Sequence, residues 1–319
     1  MMTRDGQMPP DGGFLNVYKP IGVGSTQVVG RVRRTVGVRR VGHCGTLDPL
    51  AWGVLPLAVG RSTRLSSYVL EMPKTYEAAV LFGIETPSCD LETHPTGEPR
   101  PSPEPKAVEQ ALPGFTGEIE QRPPTYSALR VGGVRAYRSA RAGRRLDLPP
   151  RRVHVRRLRL VSAGRIGLRV VEGRLQFGDG TGWSHALLAG LRIECSSGTY
   201  IRALARDLGE AIGCGATLFG LTRTRVGPFT LNAATEMWQL EIAAREGYVD
   251  TLLYAPDTVV EHLPAAILSD SDRVEFGHGR TLRRSAVGPH RLYDGDGNFL
   301  GLANSQAGCW TPHIVWKPA

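Results

Sequence analysis

The chain has 319 residues, 41% of them hydrophobic, and carries 39 Lys and Arg against 30 Asp and Glu, a formal net charge of +9. That is enough chain for one large domain with a smaller one beside it, and the basic balance points to a polyanionic partner, either nucleic acid or an anionic membrane surface. No apolar run reaches the roughly 18 residues of a membrane span, Met1 to Gly13 lack a secretory apolar core, and five scattered cysteines without a Cys-x-x-Cys pair argue against a disulfide framework or a metal site; the expectation is a cytoplasmic protein with no membrane association.

Phe14-Leu-Asn-Val-Tyr18 reads as a short strand, closed by Lys19-Pro20 and the glycines Gly22 and Gly24. A helix follows: Ser25 or Thr26 can cap it, Val28, Val29, Val32 and Val36 form its apolar stripe, and Gly37 can end it. Arg31, Arg33, Arg34, Arg39 and Arg40 decorate this segment without an acid, as a solvated face or as phosphate contacts.

In the next stretch, Arg40-Val-Gly-His-Cys-Gly-Thr-Leu-Asp-Pro-Leu-Ala-Trp-Gly-Val-Leu55, Asp48 is the one carboxylate. Pro49 biases it toward extended backbone, and Gly42, Gly45 and Gly53 supply backbone freedom or close approach on either side. Asp48 is therefore expected on a stiff turn, either as an Asx turn bonding its own backbone or as a rigidly held nucleophile or acid/base group. Nearby His43 and the flanking arginines favour the second. The apolar run Val54-Leu-Pro-Leu-Ala-Val59 is a buried strand or a helix start.

Gly42-His43, followed by Gly45-Thr-Leu-Asp-Pro-Leu-Ala51 and Gly53-Val-Leu55, resembles the signature of TruB-type tRNA pseudouridine synthases, bacterial enzymes that isomerise the uridine at position 55 of the tRNA T loop. The resemblance implies an α+β pseudouridine synthase fold: a central mixed, largely antiparallel sheet flanked by helices. It also implies that Asp48 is the catalytic aspartate and that His43 fills the gap left by an extruded base. Cys44 and Trp52 depart from the small residues or Thr expected there, and Val17-Tyr-Lys-Pro-x-Gly resembles the family's N-terminal motif.

Arg61-Ser-Thr-Arg64 opens another helix, and Lys74-Thr-Tyr76 leads into a strand running to Phe82. An aromatic such as Tyr76 at a strand start is ordinarily core; the resemblance makes it the active-site tyrosine that stacks on the target base, and makes Arg64 a basic position facing RNA. Glu85 to Pro105 is a proline-rich loop whose Thr86 and Asp90 resemble the family's Thr-x-x-x-Asp pattern. A helical segment, Ala107 to Leu112, follows, and Pro123-Pro-Thr-Tyr-Ser-Ala128 is a second family signature. From Arg130 to Arg165 there are twelve arginines and a single acid, Asp147, a bias that suits bidentate phosphate contact. Here the resemblance implies a thumb, about 122–160, that is mobile without RNA and closes over the T arm. Arg130, Arg135, Arg138 and Arg141 would contact the RNA backbone, and Tyr137 would offer an aromatic face.

Alternating residues predict strands at Val153 to Leu160, Ile166 to Val171 and Leu191 to Cys195, while Glu172 to Ala186 is longer than the family usually has and carries no functional reading. Ser197-Gly-Thr-Tyr-Ile-Arg202 is a strand-to-helix junction; its helix continues over Ala203 to Ile212 and stops at Gly213. Gly-Thr-Tyr-Ile-Arg is the third signature. A carboxylate kept ionised in a dry pocket needs a partner charge, the role the resemblance gives Arg202, although a helix-surface arginine is the commoner fate. Tyr200, two positions earlier on the strand, points to the same side as a pocket wall. Leu221 matches an apolar family position beside the uracil and is otherwise a core leucine.

From about Tyr254 the segments Ala266 to Leu268, Val274 to Gly279, His290 to Leu302 and Pro312 to Trp316 read as short strands with Asp-Gly turn chemistry. They predict a small β-barrel that resembles the family's PUA-like RNA-binding domain. The expected division is a catalytic domain over 14–253 and a PUA-like domain over 254–319. The chemistry needs no cofactor and no metal: Asp48 acts as nucleophile, Arg202 as its ion-pair partner, and Tyr76 as stacker and possible proton acceptor, on a uridine flipped out of the tRNA T arm by a monomer. Two rivals stand beside it, a non-catalytic RNA-binding or RNA-folding protein and a metal-dependent phosphoryl-transfer enzyme.

Overall fold

The computed structural model describes residues 12–126, 130–131, 134–135, 148–284, 287–306 and 308–316. The chain begins with β1 (Gly13–Lys19), α1 (Ser25–Val36), β2 (Val41–His43), β3 (Ala51–Val59), a 3-10 turn (Gly60–Leu65), α2 (Ser66–Glu71) and β4 (Lys74–Phe82). It continues through α3 (Pro105–Ala111), β5 (Gly117–Gln121), the short pair β6 (Arg130–Val131) and β7 (Val134–Arg135), β8 (Arg151–Val171), β9 (Arg174–Phe177) and β10 (Ser184–Cys195). Next come α4 (Ile201–Ile212), β11 (Ala216–Val226), β12 (Phe229–Thr230), α5 (Met237–Glu246) and β13 (Leu253–Tyr254). Apart from β6 and β7, which pair only with each other, these strands form one sheet in the order β13-β1-β3-β11-β4-β10-β8-β5, with β2, β9 and β12 at its sides. Within it β3 and β11 run parallel and the other pairs are antiparallel, so the sheet is mixed and largely antiparallel.

Strand alternation decides what each face buries. Leu15 and Val17 of β1, with Leu55, Leu57 and Val59 of β3, pack with Val28, Val29 and Val32 of α1, Leu204 and Leu208 of α4 and Leu240 of α5. Their alternates Phe14, Val54 and Ala58 pack the other way, against Leu65, Val69 and the C-terminal Leu302, Ile314 and Trp316. Both faces are therefore covered, and the apolar run from Val54 to Val59 is a strand because it has partners on two sides.

Three local readings change. The N-cap of α1 is Gly24, whose N–H donates to Gln27 Oε1 at 2.7 Å, because the Ser25 hydroxyl is engaged elsewhere; Gly37 ends the helix at φ 68° as expected. The two strands expected over 153–171 are one, β8, kept continuous by its ladder with β10 from Ser184↔Leu168 to Cys195↔Val155. The segment without a functional reading forms the β8/β9 hairpin and the start of β10. Its Leu175 and Ala186, with Leu168 of β8, make a satellite core with Leu81, Ile84 and Phe219.

The C-terminal unit is a second, five-stranded sheet curled as a half-barrel: β14 (Ala265–Ile267), β15 (Leu282–Arg283), β16 (His290–Tyr293), β17 (Phe299–Gln306) and β18 (Cys309–Val315), in the order β14-β16-β17-β18-β15. The strand expected at Val274 is instead part of α6 (Asp270–Gly277). Ser269 caps it by accepting the Asp272 N–H, Asp270 and Asp272 favour its positive end, and Phe276 is buried in the small core. The Asp294 turn forms as read, its carboxylate accepting from the Asp296 and Asn298 N–H groups at 3.1 and 2.8 Å.

In the thumb, Tyr137, Arg138 and Arg141, with the mobility expected of that segment, lie outside the described residues. Arg130 and Arg135 are described by backbone alone, as direct partners in the β6/β7 pair. Among the described residues no helix is long and apolar enough to cross a membrane.

Candidate active site

Asp48 sits on the turn between β2 and β3, closed by the Ala51 N–H donating to the Asp48 carbonyl at 3.1 Å. Both neighbours of Asp48 are tied to the chain between β1 and α1. The Ser25 hydroxyl donates to the Leu47 carbonyl and accepts the Leu47 N–H, each at 2.9 Å. The fully buried Lys19 ammonium donates to the carbonyls of Pro20 at 2.8 Å, Val23 at 2.6 Å and Pro49 at 3.3 Å. Burial pushes Lys19 down to about 8, with the Asp48 charge opposing that shift.

A second clamp comes from β11. The buried Arg223 guanidinium donates to the carbonyls of Val54 at 2.8 Å, Gly45 at 3.2 Å and Thr46 at 3.3 Å. The parallel pairing brings the Arg223 backbone against Gly53, where an added Cβ would lie 2.3 Å from the Arg223 carbonyl oxygen. Gly53 is also at φ +105°, so this close approach requires glycine.

Arg202, in the first turn of α4, supplies the partner charge. Its Nε lies 2.9 Å from Asp48 Oδ2 and its Nη1 3.6 Å from Asp90 Oδ2. The same guanidinium donates to the Ser88 carbonyl at 3.1 Å and the Tyr126 carbonyl at 2.9 Å, so both the proline-rich loop and the Pro-Pro-Thr-Tyr segment converge on it. Cys89, at φ 59°, makes the sharp turn between Ser88 and Asp90, a left-handed conformation that costs a non-glycine residue about 1 kcal/mol or more. The Asp90 side chain is 6% exposed and that of Asp48 38%. Asp48 therefore has one oxygen on a buried cation while the carboxylate remains open to a substrate.

The opening is a cavity of about 310 Å³ lined by Asp48, Arg202, Tyr76, Tyr200, Leu221 and Arg223 among others. Five of the sequence-predicted site residues thus share one recess. Tyr76 is nearly fully buried on β4; burial raises its phenol above the ordinary value, so the ring meets the cavity as a neutral phenol at pH 7. Tyr200 stands at the N-cap of α4, five residues past the end of β10 rather than on a strand, and Gln121 brackets it by accepting its N–H and donating to its carbonyl. The Arg151 guanidinium lies 5.5 Å from the Tyr200 ring centre. Leu221 enters from β11 between Ala51 and Ala78.

Two predicted residues stand apart. His43 ends β2 outside the cavity lining, half-buried, its pKa lowered by burial and its Nδ1 without a partner. Arg64 is exposed and donates to the Val315 carbonyl at 2.6 Å, fastening the second sheet to the first.

The sequence reading missed Lys19, Ser25, Arg223 and Lys74. Arg223 had a usable signal, since it follows Leu221 by two positions on a strand and must share its face. Lys74 lines the cavity and donates to the carbonyls of Leu70 at 2.8 Å and Met72 at 2.6 Å, capping the end of α2; burial pushes it down to about 8.

An aspartate paired with a buried arginine, opening into an aromatic and aliphatic recess on this sheet, defines with the fold a pseudouridine synthase. The archaeal box H/ACA sRNP Nop10–Cbf5 complex has the same fold, with a TM-score of 0.67 at 21% identity over 97% of this chain and 87% of that one. A Cbf5–Nop10–Gar1 complex gives 0.68 at 22% identity, covering 100% and 92%. Residues 33–201 match the N-terminal domain of the TruB family pseudouridylate synthases, and residues 202–261 the tRNA pseudouridylate synthase B C-terminal domain. The tRNA pseudouridine synthases B of Thiobacillus denitrificans and Burkholderia pseudomallei are each 38% identical to this chain over 94% of it, covering 94% and 95% of their own lengths. The chain belongs to the TruB family of tRNA pseudouridine synthases.

Proposed function

We propose that the chain isomerises uridine 55 of the tRNA T loop to pseudouridine, with Asp48 as the nucleophile. The carrying observation is the 2.9 Å pair between Asp48 and Arg202 at the floor of the cavity. In the reaction the bond from the sugar C1′ to the base N1 breaks, the base turns, and C1′ bonds to C5. The C5 proton leaves and N1 gains one, so no co-reactant is consumed. A carboxylate nucleophile divides this into two easier steps, and walls formed by Tyr76, Tyr200 and Leu221 keep the detached base from escaping. Stacking is the role that the neutral Tyr76 phenol supports.

The target uridine must leave its stack at a cost of a few kcal/mol. A neutral His43, five residues before Asp48 in the chain, suits the filling of that gap. The unit over 14–253 would perform the chemistry and the unit over 254–319 would add RNA contact, with Arg64 near their junction and Arg130, Arg135, Arg138 and Arg141 on the T-arm backbone. The enzyme acts as a monomer in the cytoplasm.

A non-catalytic RNA-binding protein is less favoured, because Asp48 in a phosphate-facing surface would repel its ligand unless it had chemistry to perform. Unmodified tRNA incubated in EDTA tests the reading. The parent should form pseudouridine at position 55 without added metal, and Asp48→Asn should bind tRNA without turnover. Product only with metal, binding without product in the parent, or turnover by Asp48→Asn would each reject it.

A further inference from the structure

The β8/β9 hairpin borders a second recess. It has a volume of about 290 Å³ and is lined by His94 and Pro95 of the proline-rich loop and by Arg174, Leu175 and Phe177 of β9. The hairpin is a built element. The Gly178 N–H donates to the Gly167 carbonyl at 3.0 Å, Arg169 donates to Gln176 Oε1 at 3.1 Å, and the Arg169 guanidinium lies 4.4 Å from the Trp183 ring centre. Its underside is filled by the satellite core of Leu168, Leu175, Ala186 and Phe219.

What this scaffold holds outward has little structural use. Phe177 remains 39% exposed although its edge touches Phe219, with ring centres 5.4 Å apart. Arg174 is exposed, and its side chain makes no hydrogen bond or ion pair among the described residues. An exposed aromatic face beside a free guanidinium in a shallow recess is the arrangement that receives an unpaired nucleotide, base on the ring and phosphate on the cation.

The recess is distinct from the catalytic cavity, but the segments that border the two are linked along the chain. Asp90, which shares Arg202 with Asp48, precedes His94 by four residues, at most roughly 14 Å of chain. On the sheet side, Phe219 stands two residues before Leu221 of the cavity and touches Phe177. The hairpin is thus tied on two sides to segments that border the Asp48 cavity.

We propose that the β8/β9 recess binds a second, unpaired nucleotide of the tRNA substrate, stacked on Phe177 with its phosphate at Arg174. The proposal rests on the tRNA reading above and extends its footprint to a segment that the catalytic chemistry does not require. The test uses the full chain and unmodified tRNA, with dissociation constants measured over a series of salt concentrations. Phe177→Ala should weaken binding roughly fivefold or more. Arg174→Gln, a surface change that leaves the satellite core untouched, should weaken binding and lower the salt slope by about 0.7. Parent affinity and slope in Arg174→Gln overturn the proposal whether or not Phe177→Ala folds. That includes the case in which the recess serves a protein. Failure of the parent to form pseudouridine would reject the functional reading instead, so the two failures are distinguishable.

Discussion

The Arg202 guanidinium reaches Asp48 through Nε at 2.9 Å and Asp90 through Nη1 at 3.6 Å, so one cation serves a carboxylate facing the cavity and another sealed in the protein. The two acids should therefore fail differently. Asp48 is more than a third exposed on its side chain, and its pair contributes only about 0–1 kcal/mol to stability. Asp48→Asn should shift the urea midpoint little while lowering pseudouridine formation more than about a thousandfold, as the proposed nucleophile role requires. Asp90→Asn loses a charge-assisted contact inside the fold, worth roughly 1–3 kcal/mol, and should lower both midpoint and turnover. Equal stability losses in the two variants would contradict this division.

Tyr76 offers a cleaner separation of roles. Burial holds its phenol above the ordinary value, which makes it a poor base at neutral pH and leaves the ring face as its contribution. Tyr76→Phe should keep turnover within about tenfold of the parent, whereas Tyr76→Ala should lose roughly 5–150-fold, the span of one lost base stack. A loss of 10²–10⁴ in Tyr76→Phe would assign the hydroxyl a proton-transfer role. Single-turnover rates on unmodified tRNA measure both.

The cavity constellation was legible because its members carry local signals. Asp48 precedes a proline in a run free of other acids, Arg202 follows a tyrosine at a helix start, and Tyr76 opens an alternating strand. The clamps were not legible, because Lys19 and Arg223 act on carbonyls that only the tertiary fold brings within reach. Ser25 shows the limit plainly: a serine at a helix start reads as a cap, and its hydroxyl instead fastens Leu47 across the sheet. The two expected strands within β8 merged for a similar reason, since ladder bonds to β10 override a polar interruption at Ser162 and Gly164. Val274 misled because a short apolar alternation fits a strand and a helical turn equally, and the cap at Ser269 decided between them.

Lys74 gives the stability a definite pH dependence. Its folded ammonium is pushed down to about 8 by burial, from an ordinary 10.5. Below pH 8 both folded and unfolded chains hold the proton, and the full cost of burying the charge is present. Between about 8 and 10.5 the unfolded chain binds more protons than the folded one, so raising the pH favours the folded state. Lys74→Met removes this contribution. The stability of the parent relative to the variant should therefore rise from pH 8 to pH 10 in urea titrations. The comparison between chains largely cancels the opposite trend of the buried Cys44 thiol, raised to about 11 in both. A flat or falling difference would contradict a buried Lys74 ammonium.

The β8/β9 turn carries a strain that a single substitution should relieve. Val171 pairs directly with Arg174, leaving Glu172 and Gly173 as a two-residue turn at φ 50° and 72°. Positive φ at both positions is the type I′ geometry that matches strand twist, and its preferred first residue is Asn. Among the described residues the Glu172 side chain has no bond that compensates for the left-handed conformation, whereas Asn tolerates it. Glu172→Asn should stabilise the hairpin by about 0.5–1 kcal/mol, and Glu172→Val, β-branched, should destabilise it by at least as much. Because the hairpin can open without global unfolding, the measurement is hydrogen exchange at the amides of Val171 and Arg174. Slower exchange in Glu172→Asn and faster exchange in Glu172→Val are expected. Removing the Glu172 charge beside Arg174 should also tighten tRNA binding at low salt, whereas Glu172→Gln should tighten binding without slowing exchange, which separates the electrostatic effect from the backbone one.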